Sequence, residues 1–178
     1  MATTKHALVA LVEDKPGVLN RMASLFRRRG FNIESIAVGH SELPHISRMT
    51  IIVDGTTTMV EQVRKQLDKV IDVIKVSDVT GEGTIARELA LIKVKATSAN
   101  RSEIMQIVDI FRANIVDVAS DSVTVEVTGD EQKVNSLYNL LRGFGIKEIA
   151  RTGSIAMTRG NLGSSIAGAR QTKHQAKK

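Results

Sequence analysis

The second half of the chain repeats the order of the first. The stretches at 25–38 and 50–63, LFRRRGFNIESIAV and TIIVDGTTTMVEQV, have counterparts at 110–120 and 124–137, IFRANIVDVAS and TVEVTGDEQKVNSL. In each half, four apolar segments have the length and pattern of strands, and two others repeat their apolar residues at helical spacing. Each half therefore predicts the order strand, helix, strand, strand, helix, strand. We expect an α+β protein of two tandem ferredoxin-like domains.

The domain boundaries follow from this repeat and from the composition between and after its copies. The first domain is expected at 5–80, a Gly-rich linker at 81–85 and the second domain at 86–160. Residues 161–178 contain four Lys or Arg and no acid, so they supply four of the net six positive charges. We interpret them as a basic, disordered, solubilising tail rather than a nucleic-acid-binding arm.

The first predicted helix has a clear buried face and a clear end. Val18, Met22, Leu25 and Phe26 lie on one stripe at helical spacing, and Gly30 is the expected C-cap. Further along, Met49 and Met59 are assigned to the core. A ferredoxin-like sheet has one face without helices, and here its strands are apolar on more than one face. We therefore expect the other domain or a second copy to cover it, which predicts a homodimer.

The composition excludes several classes of protein. The chain has no cysteine, which excludes disulfides, zinc–thiolate sites, iron–sulfur clusters and thiol nucleophiles. Its four histidines show no metal-ligand spacing, and no glycine-rich nucleotide motif occurs. No apolar run approaches the roughly 20 residues of a membrane span. We predict neither a catalytic nor a metal site, and a cytoplasmic location (or an organellar stroma in a plant or alga).

The turn after the first strand, EDKPGVL, combines features that suit a small anionic ligand. Asp14 stands where an N-cap belongs, and Pro16 suits the first helical turn. Gly17 has no side chain, so a ligand can approach the backbone. The amides of Gly17, Val18 and Leu19 and the helix dipole favour a carboxylate, and Asp14 offers an acceptor to an ammonium group. Together these groups predict a free amino acid as the ligand.

A second segment is expected to complete this site. Asn32 and Ile33 open the second strand, which we expect to begin at the same end of the sheet. The Asn32 amide carries both a donor and an acceptor, so it could act from its own chain or across a dimer. The alternative is that Asp-x-Pro-Gly is only a cap and a turn. The equivalent stretch of the second copy, ATSANRSE, has no glycine and is not expected to bind an amino acid in this way.

Several of these stretches resemble one known family. EDKPGVLNRMASLFRRRGFNIESIAVG is similar to the N-terminal ACT domain of the regulatory (small) subunit of acetolactate synthase, also called acetohydroxyacid synthase. SRMTIIVDG, QVRKQLDKVIDVIKVSDV, REL at 87–89 and RTGSIAMTRG resemble that subunit too. The resemblance covers essentially 5–160. GFNIES followed by SRMT is fairly specific to the family, whereas PGVL is shared by ACT domains in general.

This resemblance implies a non-catalytic regulatory subunit. Such a subunit binds a separate catalytic chain, raises its activity and confers feedback inhibition by valine, sometimes by leucine or isoleucine. Thiamine diphosphate, Mg and FAD are expected on the catalytic subunit and no cofactor on this chain. The effector would lie between the ACT domains of a dimer, held by Asp14–Val18 and Asn32–Ile33. Some family members have Asn where this chain has Asp14, which affects ligand preference. The second domain is expected to serve in dimer packing and contact with the catalytic subunit.

Two alternatives remain open, an ACT-domain sensor for another amino acid and an RNA-binding module. RNA-recognition domains share the predicted element order and stack bases on strand aromatics. This chain has five aromatic residues, three of them in predicted helices and none in the middle of SRMTIIV or TVEV. The pattern argues against RNA, and neither nucleic acid nor membrane is expected as a partner.

Overall fold

A computed structural model of the protein describes residues 4–81 and 83–160. The expected tail at 161–178 lies outside these residues. The contacts divide the chain into two units, one comprising the residues up to Ile85 together with those from Ile155, the other comprising Ala86–Ser154. None of the helices among the described residues is long and apolar enough to cross a membrane.

The first unit contains a four-stranded antiparallel sheet with two helices. Its elements are β1 Thr4–Glu13, α1 Val18–Arg28, β2 Ile33–His40, β3 Ile46–Gly55, α2 Thr57–Leu67 and β4 Val73–Asp78. The strand order is β2-β3-β1-β4, with β3 antiparallel to both β1 and β2. This is the ferredoxin-like arrangement that the repeat predicts, and β2 and β4 are the edge strands.

The second unit repeats the arrangement. Its elements are β5 Thr84–Lys95, α3 Arg101–Ile110, β6 Asn114–Val118, β7 Ser122–Gly129, α4 Glu131–Leu141 and β8 Ile146–Arg151, with the order β6-β7-β5-β8. A 3-10 turn at Arg142–Phe144 follows α4. The prediction of two tandem ferredoxin-like domains is confirmed. Strand β5 begins at Thr84, so it takes up two residues that the sequence assigns to the linker.

Each unit buries one stripe of its helices against one face of its sheet. The predicted stripe of α1, Val18, Met22, Leu25 and Phe26, is buried against strand residues such as Leu8 and Ile51. Gly30 follows α1 at φ 70, in the left-handed region where a C-terminal glycine is favoured. Met49 belongs to this core as expected. The expectation for Met59 is wrong: it is largely exposed, because the α2 stripe runs through Val60, Val63 and Leu67.

The segment after β8 belongs to the first unit. The repeat predicts a second domain that extends to residue 160, whereas the contacts group strand β9, Ile155–Thr158, with the first unit. The Arg48 guanidinium donates to the carbonyl oxygen of Ala156 (2.9 Å), and the Ala156 amide donates to the Thr50 hydroxyl (3.3 Å). Ala156 packs with Val9 and Val79 in a small cluster separate from the helix-side core. Part of the helix-free sheet face is thus covered by the chain itself.

Candidate functional site

The turn between β1 and α1 (residues 14–17, the β1–α1 turn) is shaped by Gly17. Gly17 is the N-cap of α1 and has φ 87, in the left-handed region that other residues adopt at a cost. A Cβ at this position would meet no atom within 4 Å. The glycine is therefore required by the backbone conformation, and the space beside it is open.

Two details of the predicted cap are wrong. The expected N-cap, Asp14, lies three residues before the observed one, and no side chain caps α1. Pro16 lies in the turn before the N-cap rather than in the first helical turn. The reason is local: the Lys15 amide donates to the carbonyl oxygen of Glu13 (3.0 Å), and the left-handed Gly17 then directs the chain into the helix. The start of α1 therefore has exposed backbone amides and no side-chain cap.

The amides at the start of α1 are poorly paired within the chain. Among the hydrogen bonds of the described residues, none is donated by the amides of Gly17 or Leu19. The Val18 amide makes a long contact of 3.5 Å with the carbonyl oxygen of Lys15. The Val18 side chain is 2% exposed and belongs to the core, so Val18 can offer a ligand only its amide. The Leu19 side chain is half-exposed and stands beside these amides.

Asp14 lies at the edge of this turn. Its amide donates to the carbonyl oxygen of His45 (2.9 Å), which holds the turn against the start of β3. Its carboxylate is half-exposed, with one oxygen 3.4 Å from Nδ1 of His40 at the end of β2. The carboxylate is therefore available as an acceptor and has a titratable neighbour. Neither His40 nor His45 is predicted near Asp14 from the sequence, because the proximity arises from strand pairing.

Asn32 and Ile33 are not beside the β1–α1 turn of the same chain. Ile33 pairs with Val53, which pairs with His6 near the start of β1. The expectation that β2 begins at the same end of the sheet is wrong, because α1 carries the chain back and β1 and β2 run parallel. Strand β2 has eight residues, so the seven rises from Ile33 to His40 separate the two segments by about 23 Å. Asn32 is exposed, and Ile33 packs at the rim of the core.

Asp72 also belongs to this region, although it is not among the residues predicted for the site. Asp72 precedes β4, and its carboxylate pairs with the guanidinium of Arg21 in α1. Its carbonyl oxygen accepts a hydrogen bond from the Glu13 amide (2.9 Å). The available signal is an acidic residue directly before a buried strand that neighbours β1 in the predicted fold.

The equivalent turn of the second unit (residues 96–100, the β5–α3 turn) is filled by its own side chains. The Asn100 side-chain oxygen accepts from the Thr97 amide (2.7 Å) and from the Thr97 hydroxyl (3.2 Å). The Arg101 guanidinium donates to the carbonyl oxygens of Ala119 (2.7 Å) and Ser120 (3.1 Å). This turn has no left-handed residue, and Asn100 has φ −110. The side chains of this turn therefore bond to one another and to the neighbouring loop, whereas the β1–α1 turn has a glycine and open space at its N-cap; neither helix has a side-chain cap.

Both units match known families over most of their length. Residues 8–75 match the family described as an AHAS small subunit-like ACT domain, and residues 87–160 match the family described as the small subunit of acetolactate synthase. Neither match includes the tail.

Relatives with known names extend over nearly the whole chain. A probable acetolactate synthase small subunit of Archaeoglobus fulgidus is 58% identical over 157 residues, covering 88% of this chain and 98% of that protein. A counterpart in Methanothermobacter thermautotrophicus is 57% identical, covering 90% and 96%. The crystal structure of the acetolactate synthase small subunit from Thermotoga maritima superposes with a TM-score of 0.83 at 45% identity, covering 89% of this chain and 99% of that one. The chain belongs to the acetolactate synthase small-subunit family, and its first unit is an ACT domain of that family.

Proposed function

We propose that this chain is a regulatory subunit that binds valine at the β1–α1 turn and passes this signal to a separate catalytic subunit of acetolactate synthase. The proposal rests on one observation: the amides of Gly17 and Leu19 donate no hydrogen bond within the described chain, and the space beside the left-handed Gly17 is open. The names of the relatives, each a small subunit, support a larger partner chain. The chemistry, with thiamine diphosphate, Mg and FAD, would reside on that partner in the cytoplasm.

The groups at the turn match the two charged ends of an amino acid. A carboxylate placed before α1 would accept hydrogen bonds from the amides of Gly17 and Leu19 and would be favoured by the helix dipole. The Asp14 carboxylate would accept from the ammonium group. The half-exposed Leu19 side chain offers apolar contact to a short aliphatic side chain. These contacts suit a small aliphatic amino acid, and the resemblance to the regulatory subunit is the reason for choosing valine, with leucine and isoleucine as the nearest competitors.

The strand register requires a second copy if Asn32 is to take part. In one chain Asn32 lies about 23 Å along β2 from the turn. Strand β2 is an edge strand, so two copies can pair along it in antiparallel fashion. That pairing would place Asn32 of one copy near the His40 end of the other, where the β1–α1 turn lies. We therefore propose a homodimer with two shared effector sites.

Inhibition then needs only a difference in affinity between two arrangements of the assembly. Valine must bind the low-activity arrangement more tightly than the active one, and the coupling free energy is set by the ratio of those affinities. A site at the boundary between two copies suits this role, because a small change in their relative position alters the site.

Mixing two variants tests the shared site directly. Gly17→Asp and Asn32→Ala homodimers should each lose valine sensitivity. In a mixed dimer one site carries both changes and the other carries neither. About half of the dimers in a randomly paired equimolar mixture are mixed, so mixing should restore about a quarter of the wild-type binding capacity in calorimetric titration. A site built within one chain predicts no restoration, and this result would overturn the dimer proposal.

Titration of the purified chain with valine, leucine and isoleucine tests the identity of the effector. Valine should bind most tightly, at one equivalent per chain. Binding of none of the three would overturn the sensor proposal, and tighter binding of another amino acid would reassign the effector. Reconstitution with the catalytic subunit, with and without valine, then tests the regulatory role.

A further inference from the structure

The β1–α1 turn is held on both sides by one residue that the chain supplies from elsewhere. Asp72 stands between α2 and β4, and its side chain is 10% exposed. Its carbonyl oxygen accepts from the amide of Glu13, the last residue of β1. Its carboxylate pairs with the guanidinium of Arg21, in the first turn of α1. Asp72 thus bonds to the residue before the turn and to a residue after it.

Arg21 extends this connection to the glycine. The Arg21 amide donates to the carbonyl oxygen of Gly17 (3.0 Å), the first hydrogen bond of α1. One residue therefore fixes the Gly17 peptide through its backbone and Asp72 through its side chain. A chain of contacts runs from Asp72 through Arg21 to the residue that opens the ligand space.

The environment of the two charges makes this connection specific. The Asp72 carboxylate is nearly buried, so it needs a partner to offset the loss of water. The Arg21 side chain is 55% exposed, so water can solvate its guanidinium if the carboxylate is removed. Removal of the Asp72 charge should release Arg21 into solvent, whereas the Glu13 bond, which is made by backbone, should remain. The helix side of the turn would then be held less firmly.

We propose that Asp72 is a positioning residue for the effector, which holds the amides of Gly17–Leu19 in their binding geometry through Arg21. This inference rests on the proposed binding of valine at that turn. A ligand that binds pre-ordered amides does not have to order them itself, so loosening the turn weakens binding without removing a contact. Asp72 itself would not touch the ligand.

The test compares Asp72→Asn with a matched variant of the other unit, Glu88→Gln. The Glu88 carboxylate is 7% exposed and pairs with the Arg151 guanidinium, so both changes convert a buried, Arg-paired carboxylate into an amide. Arg21→Lys keeps a positive charge for Asp72 and serves as the second variant if Asp72→Asn does not fold. Three quantities are measured on the full chain: thermal unfolding, valine affinity by calorimetry, and amide hydrogen exchange across 14–21 without valine.

Asp72→Asn should weaken valine binding roughly 10-fold and speed exchange at 14–21, with Arg21→Lys between it and the wild type. Glu88→Gln should lower the unfolding temperature by a similar amount and leave the other two quantities at wild-type values. Equal loss of affinity in Asp72→Asn and Glu88→Gln, or unchanged exchange at 14–21 in Asp72→Asn, would overturn the positioning role. The exchange measurement needs no ligand, so it distinguishes this failure from a failure of the valine proposal.

Discussion

The β1–α1 turn and the β5–α3 turn occupy the same place in two copies of one fold and are built in opposite ways. At the first, a left-handed glycine leaves helix amides without chain partners. At the second, Asn100 and Arg101 engage the neighbouring amide, hydroxyl and carbonyl groups. The comparison shows that the same position of one fold can be left open or filled by side chains, depending on a few local residues.

The two turns do share a framework bond. The Asp14 amide donates to the carbonyl oxygen of His45, and the Ala96 amide donates to that of Asp121 (3.0 Å), so each turn is held to the neighbouring hairpin. Neither α1 nor α3 has a side-chain cap, and what differs is the N-cap residue: left-handed Gly17 in α1, and Asn100 at φ −110 in α3. The glycine leaves the space beside the first amides of α1 open to a carboxylate, whereas the Asn100 side chain bonds to Thr97.

The largest effect is expected from a negative charge introduced at Gly17 in the β1–α1 turn. Gly17→Asp places a carboxylate beside the site of the ligand carboxylate, and repulsion of about 4 kcal/mol at close range predicts a loss of valine affinity on the order of 100-fold or more. The fold should remain, at a cost of about 1 kcal/mol for the left-handed backbone. Calorimetry measures the first quantity and denaturant unfolding the second.

Two controls separate charge from strain in this experiment. Gly17→Asn has nearly the same shape without the charge and should bind more tightly than Gly17→Asp. Gly30→Asn imposes similar strain at the other end of α1, where φ is 70 and a Cβ would also meet open space. It should lose stability and retain wild-type valine binding. Wild-type valine sensitivity in Gly17→Asp would count against the site.

The next largest effect tests Asn32, which does not lie beside the β1–α1 turn of its own chain. If Asn32 binds valine as proposed, Asn32→Ala removes hydrogen bonds to a charged ligand worth about 1.5–3 kcal/mol, and valine affinity should fall 10-fold to 100-fold. Reconstitution of catalytic-subunit activity should be affected much less. Asn139→Ala, at an exposed position of α4, is the matched control and should change neither. Equal loss of affinity and reconstitution in Asn32→Ala would indicate a structural role.

A smaller effect is expected from opening the second turn. Asn100→Ala deprives the Thr97 amide and hydroxyl of their acceptor, so stability should fall by about 1 kcal/mol, as for the loss of an ordinary hydrogen bond. Valine affinity should stay at the wild-type value, measured by the same titration. Weaker valine binding in this variant would show that the β5–α3 turn contributes to the effector response. It would contradict the proposal that only the β1–α1 turn serves valine binding.

The local parts of both turns could be predicted from sequence because they depend on short-range rules. Helical spacing identifies the buried stripe Val18, Met22, Leu25 and Phe26, and the Pro16-Gly17 pair marks an exposed backbone turn. The N-cap was placed wrongly because Asp14 has the chemistry of a cap, whereas the left-handed Gly17 moves the helix start beyond its reach. Residue propensities alone do not predict whether Asp14 or Gly17 is the N-cap.

The remaining parts depend on strand direction and register. Asn32 was placed at the wrong end of the sheet because an 11-residue helix returns the chain before β2 begins. Asp72 meets Glu13 only through the pairing of β1 with β4, and Ala156 meets Arg48 across more than a hundred residues. Neither contact leaves a periodic signal in the sequence.

The smallest effect distinguishes the two turns by pH. A hydrogen bond from Lys147 (2.5 Å) holds the pKa of the Asp121 carboxyl below its ordinary value of 3.8. This pair therefore contributes stability above pH 3.8 that is lost as the pH falls through the lower folded pKa. Within the β1–α1 turn, a hydrogen bond to Glu13 (2.6 Å) raises the pKa of Lys15 above 10.5. That contribution is present below pH 10.5 and is lost as the pH rises through the higher folded pKa.

Asp121→Asn should therefore reduce the loss of stability at acid pH and leave the alkaline range nearly unchanged. Lys15→Met should reduce the loss of stability at alkaline pH and leave the acid range nearly unchanged. Both pairs are exposed, so the differences should be small and should shrink further at high salt. Unfolding temperatures across the pH range, at low and high ionic strength, measure them. A change in both pH ranges caused by one variant would mean that the two turns are electrostatically coupled, which their separate ion pairs do not predict.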